Sequence, residues 1–69
     1  MSITPREKQV LHLVSNGLSS KQIAHEIYLS PYTVQDHIKS LKAKMNAASL
    51  AQLVRKGFET GVLTPQTNL

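Results

Sequence analysis

The chain has 69 residues, with eight Lys and Arg against four Asp and Glu, a net charge of +4. That length holds one core, burying roughly 60% of the unfolded surface, and the absence of cysteine excludes a disulfide framework, a thiolate zinc site and a cysteine nucleophile. Its three aromatics, Tyr28, Tyr32 and Phe58, are too few for a platform that stacks single-stranded nucleic acid, while the basic balance points to a polyanionic partner.

Punctuation and apolar period predict four helices. The first starts at Thr4-Pro5-Arg6-Glu7. Thr4 is the cap, Pro5 suits the first helical position because it lacks an N–H, and Glu7 reaches back to close a capping box. Arg6 is expected to pair with a neighbouring acid. Val10, Leu11 and Val14, with Leu13 beside them, form the apolar stripe, and Asn16-Gly17 stops the helix.

The second helix opens on Ser19, with Gln22 three residues on as its box partner. Ile23, Ala24 and Ile27 are its apolar face, and it ends near Tyr28. It is too short to persist alone and must be held by packing. The third helix starts at Ser30-Pro31. Val34, Ile38, Leu41 and Met45 follow as one helical seam, and Asn46 ends it. The fourth opens on a further Ser-to-Gln box, Ser49 to Gln52. Leu50, Leu53, Val54 and Phe58 supply its apolar face and Gly61 its stop. Residues 1–63 form the domain, and 64–69 read as a flexible C-terminal tail. No segment alternates as a strand does, so the fold class is all-α, a four-helix bundle.

Only Tyr28-Leu29-Ser30 separate the second and third helices. Two helices joined by so short a turn form a helix-turn-helix, whose second helix enters the DNA major groove. Ala24 is small where the helices approach. Gly is common in such turns, so here the turn must be made without one.

If the Val34 seam faces inward, Tyr32, Gln35, Asp36, Lys39 and Ala43 face out, flanked by Ser40 and Lys42. Gln35 can pair bidentately with adenine, and Lys39 can donate to guanine or a phosphate. Asp36 either accepts from a cytosine amino group or from Lys39, or repels wrong sites as a negative selector, or is a neutral bystander. Phosphate contacts are expected from Ser20 and Lys21 at the start of the second helix. Tyr32, Thr33 and Lys42 on the third are further candidates, with Lys44 extending the basic strip.

The fourth helix cannot turn all its apolar residues inward. Leu50 and Leu53 lie together, while Ala51, Val54 and Phe58 drift to an adjacent side, the candidate dimer surface. His12, His25 and His37 match no compact metal spacing, and His25-Glu26 opens a zincin motif that Leu29 fails to complete, so no metal or other cofactor is expected. His37 is expected to be half-buried, packing and hydrogen-bonded. With no Gly-rich phosphate loop, no paired acid and base and no cleft-sized chain, an enzyme is excluded, and no small-molecule substrate is expected. No apolar run reaches a membrane span and the N-terminus lacks a signal-peptide core, so the protein is read as cytoplasmic and without membrane partners.

The ordered set Ile3-Thr4, Arg6-Glu7, Val10-Leu11, Leu13-Val14, Gly17-Leu18-Ser19, Lys21, Ile23-Ala24, Leu29-Ser30, Thr33-Val34 and His37 resembles the LuxR/FixJ-type DNA-binding domain. The stretch Lys44 to Leu50 is similar to the loop before that family's fourth helix, and Leu50-Ala51-Gln52-Leu53-Val54-Arg55 leans toward the FixJ branch. The resemblance covers residues 3 to about 63. It implies sequence-specific binding of double-stranded DNA for transcription regulation, with the third helix in the groove. It also implies a homodimer on paired half-sites, with the fourth helix as the contact. Asp36 departs from the family, whose members often carry an apolar or basic residue there. The chain fits either a single-domain regulator or the C-terminal effector domain of a response regulator, and the resemblance favours the second. The alternative from residues alone is a helical protein-interaction module whose basic face meets an acidic partner. A sigma-type promoter reader is a nearer relative but fits the Thr4 box and the fourth helix less well.

Overall fold

The computed structural model describes residues 2–64; of the tail expected over 64–69, residues 65–69 lie outside them. It contains four helices, α1 (Pro5–Ser15), α2 (Ser20–Glu26), α3 (Pro31–Lys44) and α4 (Leu50–Glu59). No strand occurs among the described residues, and none of their helices is long and apolar enough to cross a membrane.

Each helix begins where the sequence places a cap. Thr4, Ser19, Ser30 and Ser49 sit in extended backbone and accept from the N–H three residues on. In α1 and α2 the box is reciprocal, since Glu7 and Gln22 accept the N–H groups of Thr4 and Ser19 at 2.9 and 2.8 Å. The α4 box is displaced by one residue: Gln52 accepts from the Ala48 N–H at 2.8 Å, not from Ser49.

The four helix ends share one device. The residue after each C-cap is left-handed: Gly17 (φ 87°), Tyr28 (φ 57°), Asn46 (φ 53°) and Gly61 (φ 80°). At three of them the next N–H returns to a carbonyl five residues back, Leu18 to Leu13, Leu29 to Ala24 and Ala47 to Lys42, at 3.3, 3.0 and 2.8 Å. This is a Schellman closure. Glycine enters that backbone region freely and asparagine readily, whereas a tyrosine there costs about 1–2 kcal/mol. The turn of the helix-turn-helix is thus built on a strained residue.

The core takes most of the expected apolar residues, while Leu13 and Val14 of α1 are half-buried against it. Val10, Leu11, Ile23, Val34, Leu41 and Leu53 are fully buried, with Ala24, Ile27, Ile38 and Met45 nearly so. α3 packs against α1, α2 and α4, and α1 also touches all three others. The seven-residue α2 is held in this way between α1 and α3.

Two features were not foreseen. Leu63 is buried, returning its N–H to the Gly57 carbonyl at 2.8 Å and closing the core after α4 ends. Gly57 is buried because Leu63 and Leu11 approach so closely that a Cβ would stand 2.7 Å from Leu63 Cδ1. Leu50, expected beside Leu53, is instead 45% exposed. As the first residue of α4 it precedes the inward stripe, which runs from Leu53 to Gly57 at the four-residue step of one helical face.

Candidate nucleic-acid interface

α3 exposes its outer face because its seam is fully engaged. With Val34, Ile38, Leu41 and Met45 buried, helical geometry leaves Tyr32, Gln35, Asp36, Lys39 and Ala43 outside, and all five are exposed. Gln35, Asp36 and Lys39 line one open groove of about 380 Å³ with Lys42, Ser20 from α2 and Leu50 from α4. The expected base readers thus share a surface with two of the expected phosphate contacts. Leu50 is an apolar wall that residue-by-residue reasoning missed; its place as the first residue of a helix was the available signal.

Other candidates stand apart. Lys21 is exposed but lines a separate depression on α2 with Leu18, Gln22, His25 and Glu26. Tyr32 is 85% exposed, one turn before Gln35 and Asp36 on α3. Thr33 is half-buried, and its N–H is already given to Ser30 Oγ at 3.1 Å, while the two hydroxyls lie 3.0 Å apart. Its backbone N–H is therefore not the free donor expected for an anion, because the Ser30 cap occupies it.

The basic strip is shorter than the charge pattern suggested. Lys44 turns away from the groove and donates to Glu7 Oε1 at 2.7 Å. Ser40, expected beside the outer face, donates to Glu7 Oε2 at 2.6 Å. Both residues are drawn to the same buried carboxylate, and being four apart they share a face of α3. Glu7 is 4% exposed and closes the α1 box as well. Its carboxyl is lowered from 4.5 to about 2, chiefly by the Lys44 bond, then by the Ser40 and Thr4 bonds, against the opposing effect of burial. This cluster fixes the roll of α3 against α1, and so the direction of the outer face.

Arg6 bonds Gln9 Oε1 at 3.0 Å rather than an acid, because three residues on is within reach on an exposed helix surface. Among the described residues the one ion pair is Lys44–Glu7, so Asp36 and Lys39 both remain directed to solvent. The charge left on the groove is Lys39 and Lys42 against Asp36. Lys56 of α4 donates to the Asn46 carbonyl, in the turn that follows α3. His37 is half-buried as expected, but no hydrogen bond to its ring occurs among the described residues. The seam it flanks is apolar and offers no partner.

On α4, Ala51 and Phe58 are exposed, Phe58 by 41%, whereas Val54 is half-buried against the core. The three histidines sit on three different helices, and no cluster of potential metal ligands occurs among the described residues.

Residues 1–56 match the family described as "Bacterial regulatory proteins, luxR family". A Mycobacterium bovis protein named as an HTH-type transcriptional regulator is 47% identical over 60 residues, 87% of this chain and 7% of that protein. The transcriptional regulatory protein FixJ of Azorhizobium caulinodans is 43% identical over 60 residues, 87% of this chain and 28% of that protein. The fold is similar to that in the crystal structure of response regulator ChrA of a heme-sensing two-component system. There the TM-score is 0.88 at 21% identity, over 91% of this chain and 31% of that one. The chain therefore spans less than a third of each of these proteins.

Proposed function

The chain belongs to the luxR family of bacterial regulatory proteins, DNA-binding regulators of transcription, and from that premise we propose how it engages its DNA. α3 lies in the major groove of a duplex and reads bases with Gln35, Asp36 and Lys39. The observation that carries this reading is their shared exposure in one groove with Ser20 and Lys42, on a helix whose apolar seam is buried.

Gln35 suits the paired donor and acceptor of adenine, and Lys39 the acceptors of guanine. Asp36, left without a cation, either accepts from a cytosine amino group or repels sites that lack one. Lys42 and Ser20 at the groove, with Lys21 and the hydroxyls of Tyr32 and Thr33 beyond it, contact phosphates and set register. Such contacts supply affinity without sequence.

The chain acts as the DNA-binding effector part of a response regulator in the cytoplasm, without catalytic activity of its own. The FixJ likeness, over 28% of that protein, supports this. One copy reads too few base pairs for useful selectivity, so two bind successive half-sites about 10 bp apart or a multiple of it. Ala51 and Phe58, with Val54 beneath them, form the contact.

Salt-titrated binding to a selected duplex and to an unrelated one tests the reading. Lys21→Ala and Lys42→Ala should each weaken both complexes alike and flatten the salt slope by about one unit. Equal affinity for the two duplexes in the wild type, or tighter binding to an acidic protein than to either, would favour an interaction module instead.

A further inference from the structure

Tyr28 stands where the chain elsewhere uses Gly or Asn. The three other helix ends place Gly17, Asn46 and Gly61 in the left-handed position. Only the end inside the helix-turn-helix carries an aromatic there, and its ring is 94% exposed. A ring so exposed returns almost no packing against this chain to offset the backbone strain. Strain of this kind gathers where a side chain serves something outside the fold.

The site narrows what that is. Tyr28 is two residues before the Ser30 cap of α3, so its Cα lies within about 7 Å of that cap. The next exposed aromatic is Tyr32, on the first turn of α3 and one turn before Gln35 and Asp36. With the first turns of α3 in the groove, the turn that precedes them meets the groove wall, which is sugar and phosphate. A phenol is a neutral donor of the kind that bonds phosphate oxygens.

We propose that Tyr28 is a DNA-backbone contact, its hydroxyl donating to a phosphate at the edge of the groove that α3 enters. The inference rests on the duplex-binding reading above. It adds a contact outside the α3 face and gives the strained turn a use. It also accounts for Tyr in a place that Gly would fill at lower cost to the fold.

The two tyrosines are the chain's whole complement and there is no Trp, so a Tyr32→Phe variant emits from Tyr28 alone. Its emission should change on saturation with the selected duplex. Tyr28→Gly should raise Tm by several degrees while weakening both the selected and the unrelated duplex about three- to tenfold, with the salt slope unchanged. Tyr28→Phe should lose affinity by a similar factor with Tm unmoved. Gain of stability with loss of binding is a signature that a merely structural turn residue would not give. Unchanged or tighter binding by Tyr28→Gly, wild-type binding by Tyr28→Phe, or a silent Tyr28 in a saturated complex would each overturn the proposal alone. A wild-type chain that binds neither duplex would overturn it together with the reading it rests on.

Discussion

Glu7 shows how one residue serves both fold and site. The sequence marks it as the third residue of a capping box, and it is that. It is also the carboxylate that Ser40 and Lys44 reach from α3. That second role depends on which way α3 rolls, which a local pattern does not contain. Glu7→Gln keeps the shape and an acceptor for the cap but removes the charge. It should cost about 2 kcal/mol, allowing for the screening of a lysine one-third exposed, and lower Tm by roughly 8–16 °C. The sign with pH follows from the depressed carboxyl, about 2 in the fold against an ordinary 4.5. The stabilisation is present above about pH 4.5 and is lost as pH falls toward 2. Thermal melts across that window should therefore be steeper in pH for the wild type than for Glu7→Gln, and parallel curves would contradict the assignment.

Among the elements, α3 was legible and α4 only partly so. In α3 a step of three or four residues separates each of Val34, Ile38, Leu41 and Met45 from the next, so the inward seam and the outward face follow from one rule. α4 carries more apolar side chains than one face holds, and periodicity alone could not apportion them. Tertiary packing decided it: Leu63 folded back and claimed the space over Gly57, Val54 settled against the core, and Leu50 was left at the groove. A charge at Val54 would therefore test the core as much as an interface. Phe58→Asp is the cleaner probe of the proposed contact. It should leave melting within a few degrees of the wild type and spare binding to one half-site, while removing cooperative filling of a duplex with two. The dimer should be weak without DNA, since so small a face offers little area. Sedimentation and a two-site titration check both statements, and undiminished cooperativity would move the contact off this side of α4.

At the scale of the whole molecule, the architecture was written in punctuation. All four caps, the left-handed ends at Gly17, Asn46 and Gly61, and most core residues of the first three helices stand where the sequence places them. What was not legible was the use of charge. Lys44 and Lys42 look alike in sequence, yet one is spent on Glu7 and the other lines the groove. The surface that remains is a short polar patch with Gln35, Asp36 and Lys39 at its centre, and on it rests the claim that this chain reads sequence through α3. Selection of bound duplexes from a random pool, run in parallel for the wild type, Gln35→Ala and Lys39→Ala, tests that claim most directly. Each variant should relax the preference at one or two positions of the half-site, by roughly 1–3 kcal/mol per lost bidentate pair, with the other positions retained. Identical selected sites for all three proteins would contradict it and place the reading elsewhere.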